Sequence, residues 1–267
     1  MQASKVKAIR AIWPNAGTRQ RYQRRMVALI REMADSVEYW LQAQRKATPP
    51  VLASDALPSD AMKDEVQRLF EQWRKRFEKE APKMAGAFVK GQFSATNAAM
   101  RQALRDAGWS IQFTMTPAMR DAFEASLAEN VGLIKSIPAQ YLQEVEGIVM
   151  RNYAAGRDLK SMAAEIRARY HVAANRAVLI ARDQANKANS VVQAARQTEL
   201  GITEAIWLHS HAGKTPRPTH VAMNGKRYLI SKGMYDSAVK KFIWPGELIS
   251  CRCQQRSVLP WTPTEKD

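Results

Sequence analysis

The sequence predicts a mainly α protein: a long helical body followed by a small C-terminal α+β module. From about residue 18 to residue 200, apolar residues recur every three or four positions, which is the spacing of one buried helix face. After Gly201 this spacing is lost. Short apolar stretches then alternate with Pro- and Gly-containing turns, a pattern typical of short strands and loops.

The composition is that of a folded globular protein, with 46% hydrophobic and 25% charged residues in 267. No apolar run approaches the roughly 18 residues that span a bilayer, and the N-terminus lacks the apolar core of a signal peptide. We therefore expect the protein to remain in the cytosol where it is made. Its two cysteines exclude a disulfide scaffold.

The net charge of +16 and the sequence pI of about 10.1 predict a polyanionic partner. Nucleic acid is the simplest such partner, because phosphate contacts dominate the affinity of basic proteins for DNA. The alternatives are an acidic protein surface or a basic surface that only confers solubility.

Residues 1–17 form a basic arm that ends in a turn, and Thr18 is the predicted N-cap of a helix that continues to about residue 46. The predicted buried stripe of this helix consists of Tyr22, Met26, Leu29, Met33, Val37 and Trp40. Cations crowd its first turns, where the helix dipole disfavours them. We expect an external anion, DNA phosphate, to compensate Arg19, Arg21, Arg24 and Arg25. A solvated face is the alternative.

Residues 48–59 are a Pro-containing linker, and a second amphipathic helix starts at Ser59. Its predicted buried side consists of Met62, Val66, Leu69, Phe70, Trp73 and Phe77. Pro82 is expected to interrupt this helix, because proline lacks the amide hydrogen. Further helices are predicted at about 83–92 and 94–107. The strict apolar–polar alternation of 109–116 then predicts a strand.

Thr116 and Pro117 predict the start of a helix towards residue 130, followed by a buried segment at 130–138. Helices are predicted near 139–154, 158–170 and 174–200, the last ended by Gly201. The C-terminal module is predicted to contain strands near 205–209, 226–230 and 250–255 and one helical turn at 219–224. The domain prediction has four segments: 1–47, 48–115, 116–201 and 202–267.

Three of the four histidines and both cysteines lie in the C-terminal module. Two cysteines and two histidines satisfy a tetrahedral zinc ion. The candidate ligands are His209, His220, Cys251 and Cys253, although their spacing matches no common zinc finger. The alternative is two buried cysteines and a hydrogen-bonded histidine. No other cofactor is expected.

Two further patterns in the module carry less chemistry. His220 and Asn224 share a helix face, as the two residues of a nuclease pair would. No cluster of carboxylates accompanies them, so hydrogen bonds from both side chains to loop backbone are the favoured interpretation. No catalytic residue is therefore predicted. The 213–215 stretch resembles the end of a phosphate loop without its upstream glycine. We reject a nucleotide site there and keep Lys214 and Arg217 as candidate contacts to a DNA backbone.

The last long helix contains a polar segment that predicts a structural seam between this helix and the C-terminal module. Residues four apart share a helix face, so Arg182 lies beside Asn186, and Asp183 beside Lys187. Ordinary pairing on the helix surface is the alternative. The residues of this structural motif are Arg182, Asp183, Gln184, Asn186 and Lys187.

Several separate motifs agree in order and spacing with one known family. They lie at 180–187, 199–202, 207, 217–220, 223–226, 245–247 and 251–253, with weaker similarity at 14–17, 130–138 and 156–159. On these residues the chain resembles the phage Mu F-like minor head (head morphogenesis) proteins of tailed bacteriophages. Many relatives carry an acidic residue in the loop before the Arg-Pro-x-His motif, whereas residues 212–215 here have none.

The resemblance implies a non-enzymatic minor capsid protein, a structural component of the virion present in few copies. Its implied partners are the portal protein, the major capsid or scaffold protein, and double-stranded DNA bound non-specifically. It implies a place inside the capsid near the portal, and in the host cytoplasm during assembly, without a membrane. The competing hypotheses are a DNA-binding module without a capsid role, and a metal-dependent nuclease or ejected DNA-binding effector.

Overall fold

The computed structural model of the chain describes residues 7–47, 58–155 and 159–260. Four long helices make up most of it: α1 (Ala16–Ala47), α2 (Pro58–Asp106), α3 (Pro117–Ala154) and α4 (Leu159–Glu199). The short helix α5 (Pro218–Met223) and five short strands follow. The predicted fold class, a mainly α body with a small C-terminal α+β module, is confirmed.

Some sequence predictions fall outside the described residues. These are the first six residues of the basic arm, most of the linker at 48–59, and the break between helices at 156–157. None of the described helices is long and apolar enough to cross a membrane.

The chain forms two compact units, each drawn from segments that are distant in sequence. The first unit comprises Met1–Arg19, Phe88–Ser126 and Ala181–Asp267, and the second comprises Gln20–Ala87 and Leu127–Ile180. The four consecutive segments predicted from the sequence stay a prediction.

Apart from Ala155, the described residues of the second unit are all helical, and each helix segment buries one face. Trp40 belongs to the predicted stripe of α1, but its side chain is 44% exposed and Leu41 is buried instead. That prediction was wrong by one position at the end of the stripe. The apolar residues buried in this unit include Met26, Ile30, Met33, Val37, Leu41, Met62, Leu69, Phe77, Ile134, Val145 and Ile166.

Both interior prolines lie inside continuous helices, so the predicted breaks at Pro82 and near residue 138 were wrong. Proline in a helix interior costs roughly 3 kcal/mol, because it removes one hydrogen bond and clashes with the preceding turn. Packing on both sides offsets this cost. Ala81 and Met84 are buried around Pro82, and Ile137 and Tyr141 around Pro138.

The predicted break at 171–172 is also absent, because α4 continues through both residues. His171 and Val172 are exposed there, and neither residue type prevents a helix from continuing.

The N-cap of α1 is Asn15 and not the predicted Thr18, because the Asn15 Oδ1 atom accepts the backbone N–H of Thr18 at 2.8 Å. Thr18 is buried against Gly91 of α2. A Cβ atom added at Gly91 would lie 2.8 Å from the Thr18 Cγ2 atom, so this close approach requires glycine. Two other predicted helix boundaries are confirmed. Thr116 Oγ1 accepts the N–H of Met119 at 3.3 Å, and Gly201 ends α4 with φ of +65°.

The first unit contains an antiparallel sheet of three strands in the order β2–β1–β5. These strands are β1 (Glu204–Leu208), β2 (Arg227–Leu229) and β5 (Gln254–Val258), and Trp207 pairs with Gln255 across β1 and β5. A separate hairpin pairs β3 (Met234–Asp236) with β4 (Lys241–Ile243). This hairpin was not predicted from the sequence.

The N-terminal segment extends the sheet, because Ala8 bridges to Val258 and Ile9 donates its N–H to the Ser257 carbonyl at 3.0 Å. Residues 7–12 of the predicted basic arm are therefore docked on the module. The core beneath contains Ile9, Ile12, Met100, Leu104, Trp109, Trp207, Tyr228, Ile243, Cys251 and Cys253.

Two predicted strands differ from the structure. The 109–116 segment forms no strand, although Trp109, Ile111 and Phe113 pack on the core at alternate positions. An apolar–polar alternation becomes a strand only where a partner backbone supplies a hydrogen-bond ladder. The strand predicted at 250–255 begins at Gln254 instead, so Cys251 and Cys253 precede it.

Candidate metal and anion site

A surface cavity of about 350 Å³ in the first unit contains all four predicted metal ligands and two of the six predicted DNA-contact residues. Its lining includes His209, His220, Cys251 and Cys253, together with Lys214 and Arg217. Arg182 and Arg252 complete its set of cations. The cavity therefore combines metal-binding side chains with a cluster of positive charge.

His220 is held from both sides of its ring. It lies on α5, which begins with Pro218, a residue preorganised for the first helical position. Its side chain is 2% exposed, and its Nε2 atom lies 3.2 Å from Asp236 Oδ2. A carboxylate at this distance accepts a hydrogen bond from the Nε2–H group, so Nδ1 carries the free lone pair. That lone pair faces the two cysteines.

Asp236 lies at the end of β3 and is completely buried. Burial raises the pKa of its carboxyl group, but the hydrogen bond from the Ala238 backbone N–H, followed by the nearby Thr219 hydroxyl and His220, outweighs burial and holds that pKa below its ordinary value. Asp236 is therefore an anion at neutral pH, and it orients His220. Its role was not predicted from the sequence.

Both cysteine sulfurs approach the same imidazole nitrogen. Cys251 Sγ lies 3.5 Å and Cys253 Sγ 3.6 Å from His220 Nδ1. The two thiols are 2% and 3% exposed and belong to no disulfide. One ligand atom from each of the three residues lies within 4.8 Å of the other two. The Trp207 ring covers His220 edge to face, with 5.4 Å between the ring centroids.

Backbone groups and the thiol pair favour a thiolate on Cys251. The hydrogen bond from the Cys253 thiol lowers the pKa of Cys251 more than burial raises it, and contacts with His220 and with the backbone of Cys253 and Gly246 lower it further. The same hydrogen bond between the two thiols and, as a smaller cause, burial raise the pKa of Cys253. The pair therefore loses its first proton from Cys251.

His209 lines the cavity but stands apart from this three-residue group. Its Nδ1 atom accepts the N–H of His211 at 3.2 Å, and its backbone N–H is bound by Asn224 Oδ1 at 2.9 Å. Burial, followed by the neighbouring His211 and His220, lowers the pKa of the His209 imidazole. The structure thus brings three of the four predicted metal ligands together and leaves the fourth nearby.

The cations of the cavity are fixed in part by loop carbonyls. Arg217 Nη2 donates to the Ile249 carbonyl at 2.8 Å, and Arg252 donates to the Ala212 carbonyl. Burial lowers the pKa of Arg182, and the charges of Arg252 and Arg19 lower it further. Arg19 is thus close enough to add to the positive potential at the cavity.

The remaining predicted DNA-contact residues lie on α1 in the second unit. Arg21, Arg24 and Arg25 are exposed there. Arg182 and Arg252 were not among the predicted contacts. The sequence did offer a reason to include Arg252, because this residue lies between the two cysteines that are candidate metal ligands.

The polar motif of α4 contacts the C-terminal loops of the first unit. Asp183 Oδ1 accepts the N–H of Ser250 at 2.7 Å, while Asp183 Oδ2 lies 3.3 Å from Lys187 Nζ. Asn186 Oδ1 accepts a hydrogen bond from Gln254 Nε2 at 3.2 Å. Gln184 is also buried. These contacts join the helix directly to the segment that carries Cys251 and Cys253.

The polar contacts continue beyond the predicted motif. Asn189 Nδ2 donates to Ile12 O and to Gln254 Oε1, both at 2.8 Å, and Asn189 Oδ1 accepts from Thr96 Oγ1 at 3.0 Å. Further along α4, Gln197 Nε2 donates to Ser257 Oγ at 2.7 Å. Sequence periodicity does not indicate these partners, because they come from other elements of the first unit.

The nuclease pair considered from the sequence does not form. The Asn224 side chain bonds the His209 backbone, and the His220 ring is held between Asp236 and the two thiols. His220 is also too deeply buried to activate a water molecule at a phosphate.

Comparison with known proteins bears on the same part of the chain. Residues 143–256 match the family model described as Phage Mu protein F like protein. This region is Mu F-like. The match confirms the resemblance predicted from the sequence. The Mu F-like region contains every residue that lines the cavity.

A curated relative supports the comparison but adds no activity. It is described as an uncharacterized protein from Haemophilus influenzae and is 33% identical over 144 residues, which is 54% of this chain. The match covers 31% of that relative, so the chain spans about a third of its length. No solved structure matches the chain.

Proposed function

We propose that this protein is a minor capsid protein of a tailed phage that associates with the portal vertex and with genomic DNA during head assembly and DNA delivery. The Mu F-like region at 143–256 is the observation that carries this proposal. The protein would act in the host cytoplasm during assembly and then inside the capsid near the portal. The portal protein is the expected primary partner, with the major capsid or scaffold protein beside it.

The charge distribution supports contact with double-stranded DNA. The chain carries a net charge of +16, and the cavity gathers Arg182, Lys214, Arg217 and Arg252 with Arg19 close by. No carboxylate lies among the described residues that line the cavity. Clustered cations repel each other unless an anion approaches, and a phosphate group is the anion that DNA supplies at every nucleotide. Binding of this kind does not depend on base sequence.

The protein is proposed to be non-enzymatic. His220 is engaged at both ring nitrogens, and the described lining of the cavity offers no carboxylate to act as a general base. We expect supercoiled plasmid to remain intact when incubated with the full chain and Mg²⁺ or Zn²⁺. Nicking that disappears in the His220→Ala variant would contradict this part of the proposal.

A pull-down with the portal protein of the same phage tests the proposed partner. We expect immobilised portal rings to retain the full chain at physiological salt, after nuclease treatment that removes bridging DNA. A basic protein of similar size and charge serves as the control and should wash through. Equal retention of both proteins would mean that charge alone explains the binding, which would contradict a specific portal contact.

A further inference from the structure

We propose that His220, Cys251 and Cys253 bind one zinc ion that holds the C-terminal module together. The ligands are His220 Nδ1 and the two sulfurs, and the fourth position opens to the cavity, where a solvent ligand completes the tetrahedron. This site is independent of the proposed role in head assembly.

The distances between the ligand atoms match those around zinc. Bonds of about 2.0 Å to nitrogen and about 2.3 Å to sulfur at a tetrahedral angle place the nitrogen and each sulfur about 3.5 Å apart. The corresponding distances here are 3.5 Å for Cys251 and 3.6 Å for Cys253. Both nitrogen–sulfur distances therefore fit a zinc tetrahedron, and the two sulfurs lie within 4.8 Å of each other.

Hydrogen bonding alone does not explain this arrangement. A neutral imidazole has one acceptor nitrogen with one lone pair, so it accepts one thiol proton and not two. Both sulfurs nevertheless lie at nearly the same distance from His220 Nδ1. A single metal ion at the centre of the three atoms accounts for both distances.

The surrounding groups prepare the ligands for a cation. Asp236 holds the other nitrogen of His220 at 3.2 Å, the carboxylate–histidine arrangement that fixes the tautomer in many metal sites. The thiolate is the form of cysteine that binds metals.

Charge and ligand type select zinc among the common cations. Two thiolates buried to 2–3% exposure carry a large desolvation cost unless a cation neutralises them. Thiolate and imidazole are ligands that zinc prefers, whereas magnesium and calcium require oxygen ligands. The charge of +2 on one zinc ion balances the two negative charges of the thiolates.

His209 is not required for this site. Its Nδ1 atom is occupied by the His211 backbone, and its ring nitrogens lie outside the group formed by the three ligands. If three residues hold the zinc ion, zinc remains bound when His209 is replaced. If His209 were a fourth ligand, its replacement would weaken zinc binding.

The test is elemental analysis of the full chain, purified without a polyhistidine tag or chelator. We expect about one zinc ion per chain, with X-ray absorption showing two sulfur ligands at about 2.3 Å and nitrogen or oxygen at about 2.0 Å. The Cys251→Ser/Cys253→Ser double variant should lose the metal. The His211→Ala and His209→Ala variants should keep it, the first as a matched control in the same loop.

Three outcomes would overturn the proposal. One is a zinc content in the wild-type chain no higher than in the double variant after dialysis against zinc. Another is an intact mass that shows Cys251 and Cys253 joined as a disulfide in the freshly purified protein. Loss of zinc from His209→Ala would overturn the three-residue assignment.

The Asp236→Asn variant keeps the test decisive if the double variant fails to fold. It retains every ligand and changes only the group behind His220. Because outer hydrogen bonds tune affinity, we expect zinc to dissociate with a Kd about 10–100 times higher in competition with a chelator. An unchanged Kd would contradict the positioning role of Asp236.

Discussion

Asn189 of α4 and Gln254 of β5 are joined by a buried hydrogen bond of 2.8 Å between the Asn189 Nδ2 and Gln254 Oε1 atoms. The same Asn189 amide group also bonds Ile12 and Thr96. One side chain thus ties α4 to the strand after the cysteines, to the N-terminal segment and to α2, all within the first unit. Buried polar groups that share partners in this way are costly to disrupt singly.

Replacement of Asn189 by alanine should destabilise the protein. The change leaves Gln254 Oε1 and Thr96 Oγ1 without this partner, whereas the Ile12 carbonyl keeps the hydrogen bond from Gln193 Nε2 at 3.3 Å. Each unsatisfied buried group costs about 1–3 kcal/mol. We expect urea denaturation to show a free energy of unfolding lower by at least that amount. Thr198→Ala is the matched control, because Thr198 is exposed on the same helix and bonds the helix backbone at Ala194. Equal effects of the two variants would contradict the network.

The contact between Asp183 and Ser250 should hold the loop before Cys251 in place. Removal of the carboxylate in Asp183→Ala eliminates a charge-assisted hydrogen bond of 2.7 Å. We expect limited proteolysis to cleave the 244–250 segment faster in this variant, while Asp121→Ala, which alters an exposed carboxylate on α3, is cleaved like wild type. Unchanged cleavage of the Asp183 variant would mean that other contacts hold the loop.

The cavity cations should contribute to DNA affinity by neutralising phosphates. In the Lys214→Ala/Arg217→Ala double variant, we expect weaker binding to any duplex and a salt slope that is shallower by about 1 for each phosphate that is no longer neutralised. Lys75→Ala/Lys79→Ala removes the same charge from an exposed face of α2 and is the control. Weaker binding to one DNA sequence alone would contradict a backbone contact.

The arginines of α1 make a separate prediction. Replacing Arg19, Arg21, Arg24 and Arg25 by alanine should also flatten the salt dependence of DNA binding, because cations near a helix N-terminus gain most from an external anion. The measurement is a titration of labelled duplex at several salt concentrations. An unaltered dependence of DNA affinity on salt would mean that DNA contacts the cavity cations or another surface, and not these arginines.

The close approach of α2 to Thr18 makes Gly91 sensitive to substitution. A methyl group at Gly91 would lie 2.8 Å from Thr18 Cγ2, so Gly91→Ala forces a shift that costs about 1–3 kcal/mol. Thr18→Ser removes the opposing methyl group, and we expect the double variant to recover part of the stability in thermal unfolding. Additive destabilisation in the double variant would show that the contact is not the cause.

Local features of the sequence predicted the fold where local chemistry decides the structure. Thr116 and Gly201 mark helix ends because an N-cap and a left-handed glycine act on their own turn. Pro82 and Pro138 were wrongly interpreted as helix ends because burial around them, which depends on distant segments, outweighs the local cost of proline. The 109–116 stretch lacks a pairing partner, and periodicity alone does not reveal that.

In the candidate site, too, residue types were predictable from the sequence and tertiary contacts were not. His220, Cys251 and Cys253 stood out because these residue types are rare and favour metals. Asp236 could not be identified from the sequence, because its contact with His220 depends on the hairpin of β3 and β4 that places it behind the imidazole ring. The partners of Asn189 and Gln197 are also set by the tertiary fold, so no spacing in the sequence predicted them.

Sedimentation with procapsids tests the proposed function most directly. Procapsids of the same phage, assembled with and without portal protein, are separated on a density gradient at a salt concentration that removes loosely bound protein. We expect the full chain in a few copies per particle and only with portal-containing procapsids. A chain that stays at the top of the gradient, or that sediments equally with particles lacking the portal, would contradict the proposal.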